Sequence, residues 1–494
     1  MRACVAVAVT MWLAPVLAAG VHAFWPAVIP SMVIGVALAA LVARVTAPAL
    51  AATLAPALRT RAVAAVVALL AAAAALQIAG VSVYMADPAQ ARWSYQSSDP
   101  FRVRHSCMTA YFEAMRFCAQ PGTNIYEMSL YEPRAIGPLK VDSFHYPPPF
   151  LLLPAAVHAL RADVFQFRAL WFVMQCGILA GAVFGLARWI AGREGAYAAA
   201  GGVLALASPQ FVYSLQQGNV QSSAMPLGAV ALVLLGTGRL AAGAPLLAYV
   251  AAAKIFPGIL LVYLAAARRW KAVAVVAVSG MAIVALTLGL FGARPFQDFV
   301  RHELPRISSG AAFPQTENIG IGVNVSVYGL AVRLRTLGLS VLDQQRGLAV
   351  ASVYGLLVIA LAAAVGWRGL PDLATPAARN RFLQLVLALL ILASLRSPFV
   401  GFYGYVAVVW LLTLVAAERP ATAWGIGWWT ATAVFAIVHA LLPSPAHAPT
   451  PLALVVSSVL VGVALALSGG VVIRAWREGA PDRRARVSYA AARS

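Results

Sequence analysis

Residues 382–417 read FLQLVLALLILASLRSPFVGFYGYVAVVWLLTLVAA, two apolar runs separated by a short turn with one charged residue, Arg396. Each run approaches the roughly 20 apolar residues that a helix needs to cross a bilayer. Similar runs recur along the 494-residue chain, in which 62% of residues are hydrophobic and only 11% are charged, against about 25% charged in soluble domains. The sequence therefore predicts an all-α polytopic membrane protein. It excludes a soluble enzyme, a secreted disulfide scaffold and a disordered chain.

About 12 apolar runs are long enough to predict a membrane crossing. They are residues 3–23, 26–47, 62–86, 165–187, 195–213, 220–238, 272–292, 347–366, 382–396, 399–417, 422–442 and 451–473. The first run could also be a signal peptide, because Arg2 precedes it and it ends in Val21, His22 and Ala23.

The 36 Lys and Arg residues give a formal net charge of +20, and their placement decides what that charge means. When both termini are put in the cytoplasm, more than half of these residues fall on the cytoplasmic side, as the positive-inside rule requires. The basic charge therefore indicates topology, and no nucleic-acid partner is expected. The same topology places residues 87–147 and 293–346 in two long extracytoplasmic loops of a multi-pass protein of the inner or plasma membrane.

Two apolar stretches do not fit as simple crossings. Residues 148–160 begin within a run of three prolines, residues 147–149, and are too short to span, which predicts a half-helix. Residues 242–267 are interrupted by Lys254 and by Pro257, which removes a backbone donor and breaks the helix. Because irregular backbone at membrane depth requires a protein-lined or wet cavity, this stretch is predicted to be a re-entrant hairpin with Lys254 at its tip.

Each long loop contains an amphipathic pattern. In the first loop, apolar residues recur at three- and four-residue intervals between Met108 and Cys118, which predicts a helix on the bilayer surface. The second loop has a shorter pattern from Tyr328 to Arg335. Cys107 and Cys118 would lie about 16 Å apart on a continuous helix, too far for a disulfide. The four cysteines show no Cys-x-x-Cys spacing, so no metal site is predicted from them.

Polar and proline-containing islands follow one another between residues 62 and 475. They are Asp99, Tyr111, the G-x-N-I-Y pattern of residues 122–126, Tyr146 with the prolines after it, Gln217-Gly218-Asn219, the K-x-x-P pattern of residues 254–257, Asn318, and Arg396-Ser397-Pro398 before an aromatic cluster. In this order they resemble glycosyltransferase family 87 of the GT-C superfamily, the polyprenyl-phosphate-mannose-dependent α-mannosyltransferases.

The resemblance implies a GT-C-like fold, with residues 1–61 as a two-span extension, 62–475 as the catalytic domain and 476–494 as a basic cytoplasmic tail. It also implies inverting transfer of a sugar, most readily mannose, from a polyprenyl-phosphate donor to a lipid or glycan acceptor on the extracytoplasmic face, among membrane lipids. Two rival functions share parts of the pattern. One is a transporter or flippase of lipid-linked sugars, and the other is a ligase or polymerase of lipid-linked glycans.

Such a transfer needs one carboxylate to take the proton from the acceptor hydroxyl, because phosphate is already a good leaving group. Asp99 is the predicted base, with Asp87 and Glu113 as alternatives in the same loop. Neither loop contains an Asp-x-Asp pair, so catalysis is expected to need no metal ion and no cofactor.

The remaining candidates would bind the substrates. Lys254 is the one basic residue that this topology leaves inside the hydrocarbon region, where a charge usually marks a function, and Arg396 can grip a phosphate bidentately. Both are predicted to hold the donor phosphate. The predicted sugar and acceptor contacts, several of them implied by the resemblance, are Gln217, Asn219, His105, His145, Tyr146, His302, Asn318 and Tyr403.

Overall fold

The computed structural model describes residues 52–159, 163–314, 317–419, 423–438 and 448–478. The predicted spans at 3–23 and 26–47, and the basic tail beyond residue 478, lie outside the described residues. Within them the chain is almost entirely helical, with a single two-stranded hairpin.

The helices follow the predicted apolar runs closely. In chain order they are α1 (Arg61–Ala86), α2 (Pro100–Arg104), α3 (Cys107–Cys118), α4 (Leu152–His158), α5 (Val164–Ile190), α6 (Gly192–Ala207), α7 (Pro209–Gln217), α8 (Gln221–Gly236), α9 (Leu240–Lys254), α10 (Ile259–Ala266), α11 (Trp270–Phe291), α12 (Arg294–Asp298), α13 (Leu304–Ser309), α14 (Asn318–Val323), α15 (Val327–Thr336), α16 (Gln344–Trp367), α17 (Pro376–Leu395), α18 (Tyr405–Ala417), α19 (Ala423–Val438) and α20 (Pro451–Glu478). The hairpin pairs β1 (Ala135–Ile136) with β2 (Leu139–Lys140).

Six of these helices, α1, α5, α11, α16, α17 and α20, are long and apolar enough to cross a membrane. Helices α6 and α7 form a further span if taken together, bent by 60°. The chain is therefore a multi-pass membrane protein. Helices α8, α18 and α19 lie at the predicted spans 220–238, 399–417 and 422–442 but are shorter than a full crossing, so the total of twelve stays a prediction.

Side-chain caps set where several spans begin. Asp163 accepts hydrogen bonds from the backbone N–H groups of Phe165 and Gln166, both at 2.8 Å, at the start of α5. Thr375 caps α17, whose first residue is Pro376. A proline fits there because the first helical N–H has no partner within the helix.

The interrupted segment between α9 and α10 breaks at Ile255, which has a φ of +57°, and continues through one 3₁₀ turn, Phe256–Gly258. The two ends of this segment both lie near the connection between α16 and α17. Gly236, just before the segment, packs against Phe382, and the guanidinium of Arg268, just after it, lies 4.8 Å from the centre of the Trp367 ring. The segment thus turns back as a re-entrant hairpin would.

Helix α17 lies at the centre of the bundle, since 78% of its most apolar 18 residues are buried. Helix α11 is peripheral, since only 11% of the corresponding residues are buried. The turn after α17 is tied to the second long loop. Asn324 Nδ2 donates to the Pro398 carbonyl at 2.7 Å, and Asn324 Oδ1 accepts from the Val400 N–H at 3.0 Å. These bonds fix the segment that carries Arg396.

The first long loop folds onto the helices. Helix α3 confirms the helix predicted from Met108 to Cys118, and it is continuous, so Cys107 and Cys118 are free thiols as expected. Its apolar side packs on α4 and α5, where Phe112 contacts the rings of His158 and Phe167. In the second loop, α15 confirms the helix predicted around Tyr328 to Arg335.

Candidate functional site

A cavity of about 1020 Å³ lies where the two loops meet the helix ends. Its walls come from α2 and α3, the segment 139–147, the α7–α8 turn, the tip of the α9–α10 hairpin, the second loop and the turn after α17. The candidate residues among its lining are His105, His145, Tyr146, Gln217, Asn219, Lys254, Arg396 and Tyr403. Sequence positions from separate segments therefore converge on one chamber.

Lys254 ends α9 and points over aromatic rings. Its Nζ lies 4.6 Å from the centre of the Tyr146 ring and 5.9 Å from that of Tyr403. Arg396 ends α17, and its aliphatic stem lies against Gly355. Within the described part of the chain, no carboxylate is close enough to form an ion pair with either cation. Both charges are therefore available to an anionic ligand in the cavity.

An imidazole and a carboxylate form the first polar pair of the lining. His105 Nδ1 lies 3.1 Å from Asp142 Oδ1, and both side chains are largely buried. Burial lowers the pKa of His105, but the Asp142 carboxylate, with Cys107, outweighs that effect and raises the pKa from 6.5 to about 10. The Asp142 backbone N–H donates to Thr109 Oγ1 at 3.1 Å, which anchors the loop on α3.

A second imidazole and carboxylate lie on the other side of the 139–147 segment. His145 Nδ1 is 2.7 Å from Oε1 of Glu303, which is fully buried. Arg306 Nη1 donates to Glu303 Oε2 at 3.0 Å. Glu303 belongs to a π-helical turn, Phe299–Glu303, a feature that often accompanies functional sites. This network holds His145 at the cavity wall.

The amides of the α7–α8 turn are held by a constrained glycine. Gly218 has a φ of +70°, and a Cβ atom there would lie 2.6 Å from the Met108 side chain. The Gly218 carbonyl accepts from Trp171 Nε1 at 2.9 Å. Only glycine meets both the backbone geometry and the close approach. Gln217 and Asn219, on either side of it, line the cavity. Their amide nitrogens donate to the Tyr213 hydroxyl at 2.6 Å and to Cys107 Sγ at 3.6 Å, respectively.

Two tyrosines of the lining are hydrogen-bonded to each other. Tyr111 and Tyr146 are joined through their hydroxyls at 2.9 Å, and the Tyr111 hydroxyl accepts from the Val220 N–H at 3.3 Å. Their rings meet edge to face, with centroids 5.2 Å apart. Tyr146 is thereby fixed beneath Lys254.

The three carboxylates predicted as the base lie elsewhere among the described residues, outside the cavity lining. Asp99 caps α2 and forms a buried ion pair with Arg102 at 3.1 Å. Asp87 accepts from the Ala89 N–H at 3.0 Å. Glu113, expected on the polar side of α3, is fully buried between Arg116 and Arg134. Each of the three therefore has a structural partner.

His302 and Asn318, which were predicted to contact the sugar or the acceptor, are not among the described residues that line the cavity. His302 Nε2 is 3.4 Å from Arg306 Nη1. Asn318 is exposed at the start of α14, although its neighbours Glu317 and Ile319 line the cavity.

Sequence reasoning did not select Asp142 or Cys107, which are among the polar residues that line the chamber. The ligand atoms of His105, Cys107 and Asp142 lie within 4.8 Å of one another, a grouping able to hold a metal ion. The His-x-Cys spacing at residues 105–107 is a local signal for it. Asp142 carries no local signal beyond its place before Tyr146 and the prolines, because its role depends on how the loop folds.

The comparisons with known proteins add one match. A family model described as glycosyltransferase family 87 matches residues 144–398, a little more than half of the chain. The matched region contains Lys254 and Arg396 and begins just after Asp142. No curated protein and no solved structure matches the chain.

Proposed function

Because the chain belongs to glycosyltransferase family 87, and is therefore a glycosyltransferase, we propose that it moves mannose from a polyprenyl-phosphate donor to a lipid or glycan acceptor, with inversion at the sugar. The choice of mannose and of the lipid donor rests on the resemblance set out above. The observation that carries the proposal is that Lys254, Arg396 and Asp142 are among the residues that line one cavity.

The two cations suit the donor phosphate. Arg396 can bind phosphate oxygens bidentately and Lys254 as a point charge. The aromatic rings under Lys254 leave its ammonium group directed at the chamber without neutralising it. As the sugar leaves the phosphate, negative charge grows on the phosphate oxygens, and both cations stabilise it.

Asp142 is our candidate for the base in place of Asp99. It lines the cavity, whereas Asp99 is engaged with Arg102 and with the first turn of α2. The acceptor oxygen bonds to the anomeric carbon as the bond from that carbon to the phosphate oxygen breaks. The acceptor proton passes to Asp142, and the phosphate leaves with the bonding electrons. His105 orients the carboxylate, and no step requires a metal ion.

We also place the cavity on the extracytoplasmic face, with both termini in the cytoplasm of an inner or plasma membrane. The charge distribution supports this orientation. The second loop leads into the start of α16, and Arg268 lies beside Trp367 at the other end of that helix. Arg368, the next residue, lies beside Trp476. A cysteine introduced at Trp270 should react with an impermeant maleimide only after the membrane is opened. Labelling from outside would reverse the orientation.

The test of function is transfer by the purified protein in lipid vesicles. The donor is polyprenyl phosphate carrying radiolabelled mannose, with a glucose donor in parallel, and the acceptors are extracted membrane lipids. We expect labelled lipid or glycan product from the mannose donor. Movement of intact donor across the bilayer without product would instead indicate a flippase, and release of free sugar alone would indicate a hydrolase.

A further inference from the structure

Three side chains of different chemistry meet at one edge of the cavity. His105 follows α2, Cys107 is the first residue of α3, and Asp142 lies two residues beyond β2. Their imidazole nitrogen, sulfur and carboxylate oxygen lie within 4.8 Å of one another, and all three residues line the chamber. The proposed transfer uses Asp142 as the base and His105 to orient it, and it leaves the Cys107 thiol without a role.

This donor set favours zinc. Cysteine thiolate, histidine nitrogen and carboxylate oxygen are all common ligands of Zn²⁺, and catalytic sites with three protein ligands leave a fourth position open. Hard ions such as Mg²⁺ prefer oxygen ligands alone. The open position here would face the cavity.

The distance between two of the three ligands is close to that in a zinc site. His105 Nδ1 and Asp142 Oδ1 are 3.1 Å apart, and two such ligands around a tetrahedral zinc ion lie about 3.4 Å apart, given metal–ligand distances of about 2.1 Å. A small opening of the pair therefore admits the ion.

The surroundings already orient the three ligands. The His105 ring stacks on Phe101, with centroids 5.0 Å apart. Thr109 holds the backbone of Asp142, and Asn219 Nδ2 lies 3.6 Å from Cys107 Sγ. Such outer contacts fix ligand orientation in metal sites.

We propose that His105, Cys107 and Asp142 form a binding site for Zn²⁺, and that zinc bound there inhibits sugar transfer. Binding displaces the thiol proton of Cys107 and the proton shared by His105 and Asp142, and both pass to solvent. The carboxylate then donates its lone pair to the metal and can no longer take the acceptor proton. The site stands on the geometry alone, whereas the inhibition rests on the proposed function.

Binding of Co²⁺, followed by its absorption spectrum, tests the metal site without any assay of activity. The full-length protein, stripped of metal with a chelator and kept in detergent, is titrated with Co²⁺. We expect the thiolate-to-cobalt absorption band and the intense visible bands of a tetrahedral ion, saturating at about one equivalent, with loss of both on addition of Zn²⁺.

Two variants test the ligands, and a third is the control. Cys107→Ser should abolish the thiolate band, and His105→Gln should weaken metal affinity on the order of a hundredfold. Cys118→Ser, at the other end of the same helix, is the matched control and should titrate like the unaltered protein. Gel filtration and thermal melting check that each variant is folded. A flat titration of the unaltered protein, or an unchanged band in Cys107→Ser, would overturn the site.

Inhibition is read as the ratio of transfer rates with and without Zn²⁺. We expect this ratio to fall at least about tenfold in the unaltered protein and in Cys118→Ser, and to stay near one in Cys107→Ser. Metal binding with an unchanged rate would overturn the inhibitory role but leave the site. A protein that binds cobalt and transfers no sugar under any condition would instead count against the proposed function.

Discussion

The Asp142 carboxylate lies 3.1 Å from His105 Nδ1 at the wall of the cavity, while Asp99, in the same loop, is turned into a buried pair with Arg102. The two carboxylates therefore have different structural surroundings. One is available to a ligand in the chamber, and the other fastens the loop.

Replacing Asp99 with Asn should lower stability more than it lowers turnover by the folded protein. The substitution leaves the Arg102 guanidinium, which is fully buried, without its charged partner, and such losses cost about 3–5 kcal/mol. We expect a clearly lower melting temperature in detergent. Asp87→Asn is the matched control, because Asp87 caps the turn that follows it and asparagine caps about as well as aspartate. A normal melting temperature with lost turnover in Asp99→Asn would return Asp99 to the role of base.

Replacing Lys254 with Met, or Arg396 with Gln, should weaken binding of the polyprenyl-phosphate donor about tenfold to a hundredfold, the value of a hydrogen bond to a charged group. Binding is measured with a fluorescent polyprenyl phosphate. The control is Lys140→Met, since Lys140 also lines the cavity but pairs with Glu132 at 3.5 Å. Unchanged donor affinity in both test variants would remove the phosphate role.

Replacing Gly218 with Ala should destabilise the α7–α8 turn, because the backbone is left-handed there and the new methyl group would press on Met108. The left-handed conformation alone costs about 1–2 kcal/mol. The double variant Gly218→Ala/Met108→Ala should recover part of the added loss, since only the contact is relieved. Thermal melting measures both. Strictly additive effects would mean that the contact carries no energy.

Cys118 should react slowly with iodoacetamide, because burial raises the pKa of its thiol to about 12. The thiolate is the reactive form, so the rate should keep rising from pH 7 to pH 10 in the folded protein, without the plateau of an ordinary thiol. Mass spectrometry of the alkylated peptide follows the rate, and urea-unfolded protein is the control. A plateau near pH 9 in the folded protein would contradict the assignment.

The long helices could be predicted from sequence because each is a continuous apolar run, as in α1 and α16. The break after Lys254 could be predicted as well, because Pro257 cannot continue a helix. The lengths of α8 and α18 could not, since hydropathy does not reveal where a helix yields to a turn inside the protein.

Two of the cations that line the cavity could be picked out from the sequence, whereas Asp142 could not. Lys254 and Arg396 interrupt apolar runs, so their charges stand out. Asp142 lies in a polar loop beside several other acids, and only the folded loop separates it from Asp99. The spacing from Asp99 to Arg102 is the local clue that was available, since residues three apart meet on a helix.

The central claim is tested most directly by single-turnover transfer from polyprenyl-phosphate-mannose, with the unaltered protein, Asp142→Asn and Asp99→Asn compared at equal amounts of folded protein. Asp142→Asn keeps the shape of the side chain but removes the proton acceptor. We predict a rate lower by about a hundredfold to ten-thousandfold, with donor affinity retained, and a rate for folded Asp99→Asn close to that of the unaltered protein. A near-normal rate in Asp142→Asn would contradict the account.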